Sequence, residues 1–201
     1  IRYADDFVVG FQYESDAKQF REELGERLAA FNLELNDEKT RLIRFGRFAD
    51  KERGRRGGGK AGTFTFLGFT HICGKTRNGR FCVLRRSAAK KIQSKLAELK
   101  VELRRRMHDP IAKTGKWLAS VLRGHYQYYA VPRNMRALEQ FYHRLCRLWH
   151  KSLRRRSDKK HRSTWEYTSR HMKQWLPKPR IVHPYPNQRL NVTIRGRSPV
   201  R

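Results

Sequence analysis

The chain has 201 residues, of which 47 are Lys or Arg and 18 are Asp or Glu, so its formal net charge is +29. A charge of this size opposes compaction unless a polyanion neutralises it, and it therefore predicts a nucleic-acid partner. A membrane surface is the rival polyanion. However, no apolar run is long enough to span a bilayer, and the basic residues are spread over many elements. Aromatic residues make up 11% of the chain, which predicts a folded core rather than disorder.

The three cysteines, Cys73, Cys82 and Cys146, are widely spaced and include no C-x-x-C pair. This spacing argues against a disulfide framework and against a structural zinc site. It predicts reduced thiols, as in a cytoplasmic protein, and we expect a bacterial source. The sequence begins at Ile1 rather than at a methionine, which predicts a fragment of a longer protein.

The first third of the chain predicts two short apolar strands within residues 1–13, broken by a polar pair, and then a helix with Ser15 as its N-cap. The apolar residues of this helix recur at spacings of four and three, as one buried face requires: Phe20, Leu24, Leu28 and Phe31. A short strand is predicted over 33–35. The glycine-rich basic segment 46–62 is predicted to be a loop, either a solvated linker or a loop that moulds to a phosphate backbone.

Residues 63–69 predict a strand, and Asn78-Gly79 predicts a tight hairpin turn that returns through a second strand over 80–84. Ser87 is predicted to cap the next helix. The apolar stripe of this helix is surrounded by Lys and Arg: Ile92, Leu96, Leu99 and Leu103.

Asp109-Pro110 predicts another helix start, with an N-cap and a first-turn proline. Two amphipathic helices follow, with these apolar residues: Trp117, Leu118, Val121 and Leu122 in one, and Met135, Leu138, Phe141, Tyr142, Leu145, Leu148 and Trp149 in the other. Ser163 and Glu166 predict a capping box for a last short helix. Prolines from Pro177 onward are expected to end regular structure.

The segment Tyr3-Ala4-Asp5-Asp6 lies between the two apolar strands at the start of the chain. Along a regular strand, neighbouring side chains point to opposite faces, so Asp5 and Asp6 could not serve one site. A tight hairpin turn breaks this alternation and lets both carboxylates reach one cleft. Paired carboxylates with hard oxygen atoms favour Mg²⁺ or Mn²⁺. An isolated Asp-Asp pair is more often a solvated turn, so the neighbouring motifs decide its interpretation.

The segment resembles the Y-x-D-D hairpin of reverse transcriptases. Further blocks of that family follow in order: the helix, then Leu33-x-Leu35-Asn36-x-Glu38-Lys39-Thr40, which is similar to L-x-L-x-x-E-K-T, and Phe66-Leu67-Gly68-Phe69, which is similar to F-L-G-F. The resemblance implies the end of a polymerase palm that joins deoxynucleoside triphosphates to a primer on an RNA template.

The resemblance also implies roles for individual residues. Asp5 matches the catalytic metal ligand and Asp6 its partner, while Tyr3 and Ala4 match positions near the primer end and the incoming nucleotide. Two further residues each have two open interpretations. Lys39 could be a cation near the departing phosphates or a surface lysine in a turn. Gly68 could allow close approach to the primer or be a packing glycine.

The third metal-binding aspartate of the family lies upstream of Y-A-D-D, as do the fingers. We therefore expect the chain alone to have an incomplete metal site and no polymerase activity.

Residues 87–190 resemble the thumb, or maturase X domain, of group II intron proteins through Leu122-Arg123-Gly124-His125-Tyr126-Gln127-Tyr128-Tyr129 and Pro179-Arg180-Ile181-x-His183-Pro184-Tyr185-Pro186. This resemblance implies binding of intron RNA and of an RNA–DNA hybrid, as well as help in splicing. The predicted RNA-binding residues are Arg123, Tyr126, Tyr129, Arg154, Arg155, Arg156, Lys159 and Lys160. At least one of the tyrosines is expected to be a core residue instead, and His125 and His171 are expected to be hydrogen-bonded or solvent-facing.

The sequence as a whole predicts an α+β fold: a palm end over 1–86, a helical thumb over 87–190 and a tail over 191–201. The leading functional hypothesis is a reverse transcriptase and maturase of the group II intron type. A reverse transcriptase of another bacterial lineage and a non-enzymatic RNA-binding maturase remnant are the alternatives. The oligomeric state is open, with a homodimer among the options.

Overall fold

The computed structural model describes residues 1–49, 62–156 and 164–185 of the chain. By its contacts the chain divides into two compact units, Ile1–Val83 and Leu84–Arg201. Several predicted features lie outside the described residues: most of the glycine-rich loop, Lys159, Lys160, Ser163, Pro186 and the tail over 191–201.

The first unit begins with a two-stranded antiparallel hairpin, β1 (Arg2–Tyr3) and β2 (Asp6–Phe7), followed by helix α1 (Glu14–Ala29). The helix begins one residue before Ser15, after Tyr13, so the predicted Ser15 N-cap is wrong. The hydroxyl group of Ser15 instead donates to Asp16 at 2.9 Å.

The apolar face of α1 is only partly covered. Phe20, Leu24 and Leu28 are half-buried, and Phe31 is 67% exposed. The predicted strand over 33–35 does not form, because these residues have no neighbouring strand among the described residues. Two ion pairs instead attach the following segment to α1: Arg21 with Asp37 at 2.8 Å, and Arg44 with Glu14.

A three-stranded sheet follows in the order β3 (Thr63–Phe66), β4 (Phe69–Lys75) and β5 (Phe81–Ser87). The predicted single strand over 63–69 is wrong, because Leu67 and Gly68 have φ of 47° and 75° and form a two-residue turn that pairs Phe66 with Phe69. Positive φ at both central residues is the geometry that matches the twist of a hairpin.

The predicted turn at Asn78-Gly79 is confirmed. The amide of Thr76 donates to the carbonyl of Arg80 at 2.7 Å, and Gly79 has φ of 73°. The pair Phe64 and His71 stabilises the sheet, because these residues are directly opposite each other on β3 and β4 and their rings stack at 4.7 Å.

The second unit is helical beyond β5, with α2 (Ala89–Arg105), α3 (Ile111–Tyr129), α4 (Met135–Arg154) and α5 (Trp165–Trp175) among the described residues. The strands lie in the first part of the chain, where β1 pairs with β2 and β3 with β4 in antiparallel fashion, and most of the helices follow, so the predicted α+β class is confirmed.

One hydrophobic core joins the four helices. The predicted stripe of α2 is buried in full, and the core residues exposed by 2% or less are the following: Leu99, Leu103, Leu118, Leu122, Ala130, Leu138, Phe141, Leu145 and Trp149. Each helix buries one apolar stripe in this core, so its Lys and Arg side chains lie on the remaining faces.

The helix starts differ from their predicted caps. Ser87 does not cap α2, because its hydroxyl group accepts from the side-chain amide of Asn134 at 2.8 Å and its own amide donates to that side chain at 3.0 Å. Asp109 does not cap α3 but forms an ion pair with Lys113 at 3.3 Å. Thr164 caps α5 by accepting from the amide of Tyr167 at 3.3 Å.

The segment after α5 returns to the end of α3. The hydroxyl group of Tyr126 donates to the carbonyl of Pro177 at 3.1 Å, and the amides of Val182 and His183 donate to the carbonyl of Ala130 at 3.0 and 3.1 Å. These bonds satisfy a carbonyl group that the end of a helix would otherwise leave unpaired.

Gly115 brings α3 close to α5, because an added Cβ atom there would lie 2.6 Å from Cγ of Trp175. We expect Gly115→Ala to lower the free energy of unfolding by about 1–3 kcal/mol through overpacking. Gly124→Ala is the matched control on the same helix, since a Cβ atom there meets nothing within 4 Å, and it should raise stability by about 0.5–1 kcal/mol. Urea denaturation measures both variants, and equal effects would contradict the close packing.

Burial lowers the pKa of His125 to about 4, with a smaller contribution from Lys95. The unfolded chain binds this proton below about pH 6.5 and the folded chain only below about pH 4, so stability falls as the pH drops between these values. We expect His125→Phe to remove about 1–3 kcal/mol of this loss. Urea denaturation at about pH 7.5 and about pH 4.5 tests it, and identical losses in both proteins would contradict the burial of a neutral imidazole.

Candidate metal-binding hairpin and basic helical surface

The hairpin at the start of the chain closes through a loop of only two residues. Arg2 pairs with Phe7 and Tyr3 with Asp6, which leaves Ala4 and Asp5 as the loop. The strand ends are held by two bonds of 2.8 Å between Ile1 and Val8, one in each direction. The interrupted alternation places Asp5 in the turn and Asp6 at the first position of β2.

Ala4 adopts a left-handed conformation with φ of 53°. Residues other than glycine, asparagine and aspartate adopt this region rarely, and it costs alanine about 1 kcal/mol or more. The guanidinium group of Arg2 donates through Nε to the carbonyl of Ala4 at 2.8 Å and so supports the turn. Sequence reasoning missed Arg2, and its position two residues before the turn was the one signal available.

Both carboxylates are exposed to solvent. In residues 1–49, 62–156 and 164–185, no group of three or more His, Cys, Asp or Glu side chains is arranged to hold a metal ion. The donor set of the hairpin therefore consists of the adjacent carboxylates Asp5 and Asp6. This set fits Mg²⁺, which proteins commonly bind through one or two carboxylates together with substrate phosphates.

Apolar side chains beside the carboxylates are exposed as well. Ile1, Tyr3, Phe7 and Val9 are exposed by 88%, 65%, 41% and 45%. A two-stranded hairpin without covering layers is marginally stable by itself. These side chains are therefore available to pack against further structure.

The turn after α1 carries Lys39. The side-chain carbonyl of Asn36 accepts from the amide of Lys39 at 3.1 Å, and the backbone carbonyl of Asn36 accepts from Thr40 at 2.8 Å. The side chain of Lys39 is exposed. The structure does not bring it into contact with Asp5 or Asp6, so its two interpretations stay open.

Gly68 has a structural reason to be glycine, because the two-residue turn between β3 and β4 requires its positive φ. This reason is independent of any approach to a primer. The F-L-G-F block is thus the tip of a hairpin, with Phe66 and Phe69 paired across it.

A model of the family described as reverse transcriptase (RNA-dependent DNA polymerase) matches residues 1–71. Residues 1–71 are similar to reverse transcriptases. The match includes the Asp5-Asp6 hairpin, α1 and β3 and ends at His71 within β4, so it carries no information on residues 72–201. Searches of curated proteins and of solved structures find no match to the chain.

The residues predicted to bind RNA lie beyond the reverse transcriptase match and differ in accessibility. Arg123, Arg154 and Arg155 are exposed and Arg156 is half-buried, whereas Lys159 and Lys160 fall outside the described residues. Arg154 belongs to the last turn of α4 and Arg155 follows as its C-cap, where cations also offset the helix dipole.

The two predicted stacking tyrosines separate clearly. Tyr126 is 5% exposed and belongs to the core, so its ring is not accessible to a base, in line with the expected core role of at least one tyrosine. Tyr129 is half-buried, and burial raises the pKa of its hydroxyl group, with a smaller contribution from Tyr128. Tyr128 is 50% exposed and presents the more accessible ring.

The two histidines considered as ligands are packing residues. The ring of His125 stacks on Phe141 at 3.9 Å, and that of His171 lies edge-on to Tyr167 at 5.1 Å. Each has a buried Nε2 atom with no hydrogen-bond partner, so the expected hydrogen-bonded or solvent-facing placement is wrong for that atom. Both rings instead contribute aromatic packing.

No helix in the described part of the chain is long and apolar enough to cross a membrane.

The exposed face of α4 carries basic residues at helical spacing, among them Arg136, Arg144 and Arg154. Sequence reasoning emphasised the consecutive arginines at its end and missed the first two, although their spacing of eight residues already indicated one face.

Proposed function

We propose that the chain is part of a reverse transcriptase of the group II intron type, which extends a DNA primer on an RNA template and assists splicing of its intron. Residues 1–86 would form the end of the palm and residues 87–190 the thumb, or maturase X domain. The observation that carries the proposal is the tight hairpin inside the segment that matches reverse transcriptases, whose two-residue loop, Ala4-Asp5, is followed directly by Asp6.

In this proposal Asp5 and Asp6 hold Mg²⁺, or Mn²⁺ in its place. The bound ion supplies charge stabilisation for the reacting phosphates of a deoxynucleoside triphosphate. Tyr3 and Ala4 face the primer end and the incoming nucleotide, and the tight turn keeps the side chains of Asp5 and Asp6 close to them. Lys39 is the proposed cation for the departing phosphates.

The metal site is proposed to be completed by residues outside this chain. Two observations support this: the described residues contain no group of three metal-binding side chains, and the hairpin leaves its apolar residues in solvent. The resemblance to reverse transcriptases implies a third metal-binding aspartate on a strand upstream of this hairpin. The chain alone is therefore proposed to bind RNA without extending a primer.

The second unit is proposed to bind intron RNA and the RNA–DNA hybrid through phosphates and 2′-hydroxyl groups. This is supported by the way each helix buries one stripe and leaves its cations outside. The minor groove of an A-form helix is wide and shallow, so a rigid basic wall can follow it without reading bases.

A role in RNA binding without DNA synthesis is the second candidate. It is favoured by the excess of 47 basic over 18 acidic residues together with the absence of a complete metal site among the described residues. Primer extension by a longer product that supplies the missing palm residues separates the two candidates. Only the first candidate function requires that product to extend a primer.

Asp5→Ala, in a longer product that contains this chain, should reduce primer extension on an RNA template by more than about a hundredfold, because it removes a direct metal ligand. RNA affinity should stay within about twofold, since no phosphate contact is lost. Asp16→Asn is the control, because it removes an exposed carboxylate from α1 outside the hairpin. Primer extension that survives Asp5→Ala would reject the assigned role.

Replacing Arg154, Arg155 and Arg156 by Gln should weaken RNA binding and flatten its salt dependence by up to about 0.9 in the log–log slope for each lost phosphate contact. The same three positions replaced by Lys keep the charge and should retain most of the slope. Fluorescence anisotropy over a salt series measures both proteins. An unchanged slope in the Gln variant would show that these arginines are only solvated.

A further inference from the structure

The second unit contains a cleft of about 380 Å³ between the beginnings of α2 and α4. Four arginines and two glutamines supply its long polar side chains: Arg86, Arg133, Arg136, Arg144, Gln93 and Gln140. The apolar residues that line it are Ala89 and Ile92 on α2 and Ala137 on α4. No carboxylate lines it.

The absence of acidic neighbours distinguishes these arginines from others in the unit. Among the described residues the four form no ion pair, whereas Arg105 and Arg106 on α2 both pair with Glu102. A cleft of the first unit shows the usual arrangement, in which basic residues alternate with Glu22, Glu34 and Asp37. Four uncompensated guanidinium groups in one concavity favour an anionic ligand.

The base of the cleft is held rigidly by Asn134, which is 1% exposed. Its side chain accepts from the amide of Ser87 at 3.0 Å and donates to the hydroxyl group of Ser87 and to the carbonyl of Tyr129, both at 2.8 Å. These bonds connect the end of β5 to the α3–α4 connection. Arg86 directly precedes Ser87, and Arg133 directly precedes Asn134, so both arginines are attached to a fixed backbone.

Two helix starts add positive potential to the arginines. Neither α2 nor α4 has a side-chain cap or an acidic residue in its first turn. The first amides of a helix carry partial positive charge, and acidic residues commonly offset it. Here no acidic residue of the first turn offsets the positive potential beside Ala89 and Arg136, which line the cleft.

Arg133 adopts φ of 70°, in the left-handed region. This conformation costs an arginine about 1 kcal/mol or more, which glycine at the same position would avoid. Strained residues persist when the surrounding structure over-determines them, and they cluster at ligand-binding and active sites. The side chain of Arg133 lines the cleft and is otherwise exposed, so its use is consistent with ligand contact.

Arg136, Gln140 and Arg144 follow one another at intervals of four residues on α4 and form one wall of the cleft. At 1.5 Å per residue, the two arginines are separated by about 12 Å along the helix. One strand of a nucleic-acid duplex presents a phosphate for about every 3.4 Å of its axis. The wall therefore has the length of several successive phosphates and exceeds a single anion.

We propose that this cleft binds successive backbone phosphates of one RNA strand, with the arginines on the phosphates and the glutamine amides available to 2′-hydroxyl groups. The proposal adds a defined site to the RNA-binding role proposed above and rests on that role. It does not require primer extension, so the full chain alone can test it.

The test measures binding of a fluorescein-labelled RNA hairpin to the 201-residue chain over a salt series. Arg136→Gln/Arg144→Gln should reduce affinity roughly tenfold to hundredfold near 0.1 M salt and lower the log–log slope by roughly 2. Arg170→Gln/Lys173→Gln is the matched control, since it removes two exposed charges from α5, and it should change affinity less than about threefold.

Arg133→Gly separates binding from folding. Relief of the positive φ should raise the melting temperature, while RNA affinity should fall. Improved folding with unchanged affinity would overturn the role of Arg133. Equal losses in the cleft and control variants would overturn the cleft itself and show that only total charge matters. Failure of the unmodified chain to bind the hairpin at all would instead reject its RNA-binding role.

A free phosphate compound could occupy the same arginine cleft in place of an RNA strand. Thermal denaturation of the chain in sodium pyrophosphate, without RNA, distinguishes these two ligands. Stabilisation that is lost in Arg136→Gln/Arg144→Gln, together with unchanged RNA affinity of that variant, would assign the cleft to free phosphate and overturn the strand proposal. Reduced RNA affinity of that variant, with no comparable effect of the control, supports the strand.

Discussion

The burial of a single apolar stripe on each helix is the constraint on which the second unit depends. With a net charge of +29, the chain can form a compact body only if its cations stay in water while its few apolar side chains meet. Leu99, Leu118 and Phe141 come from three different helices and are exposed by 2% or less. This division places positive charge on the outer faces as a direct consequence of folding, and a basic surface needs no separate explanation.

The first unit differs, because its described residues form no comparable hydrophobic core. Its structure comes from local features: the turn at Ala4, the turn at Leu67-Gly68, and ion pairs such as Arg21 with Asp37 that attach a loop to α1. The half-buried face of α1 and the exposed apolar side chains of the hairpin are surfaces without a covering layer among the described residues. The proposed metal-binding hairpin is supported in this way, so it needs outside packing to hold two carboxylates in one geometry.

Sequence patterns predicted the helices well and their starts poorly, for a physical reason. The stripe Ile92, Leu96, Leu99 and Leu103 is a local periodic signal, and burial of that stripe decides the helix. A cap depends on competition for one hydroxyl group. Ser87 has the right residue type, but Asn134, which lies 47 residues away in sequence, takes its hydroxyl group, and such a distant partner leaves no local trace.

The candidate sites show the same limit. The hairpin that carries Asp5 and Asp6 was predictable because it is local. Tyr126 was wrongly placed among the accessible rings, because only the packed structure shows its hydroxyl group bonded to Pro177. The strand predicted over 63–69 failed at Leu67, a residue whose type gives no sign of positive φ. Asn78-Gly79 was predictable because this pair is typical of tight turns, whereas Leu67-Gly68 was not, because it places a leucine in the left-handed region.

The distribution of arginines on α4 shows how folding changes the meaning of a charge pattern. Arg154, Arg155 and Arg156 are prominent in sequence because they are consecutive, yet consecutive residues at a helix end point in different directions. Arg136 and Arg154 are separated by 18 residues, which is five helical turns, so they lie on one face about 27 Å apart. A strand that occupies the cleft at the start of α4 can continue along this face toward Arg154. The spaced arginines would then set the position of the RNA strand, and the consecutive arginines would add positive charge at the end of α4.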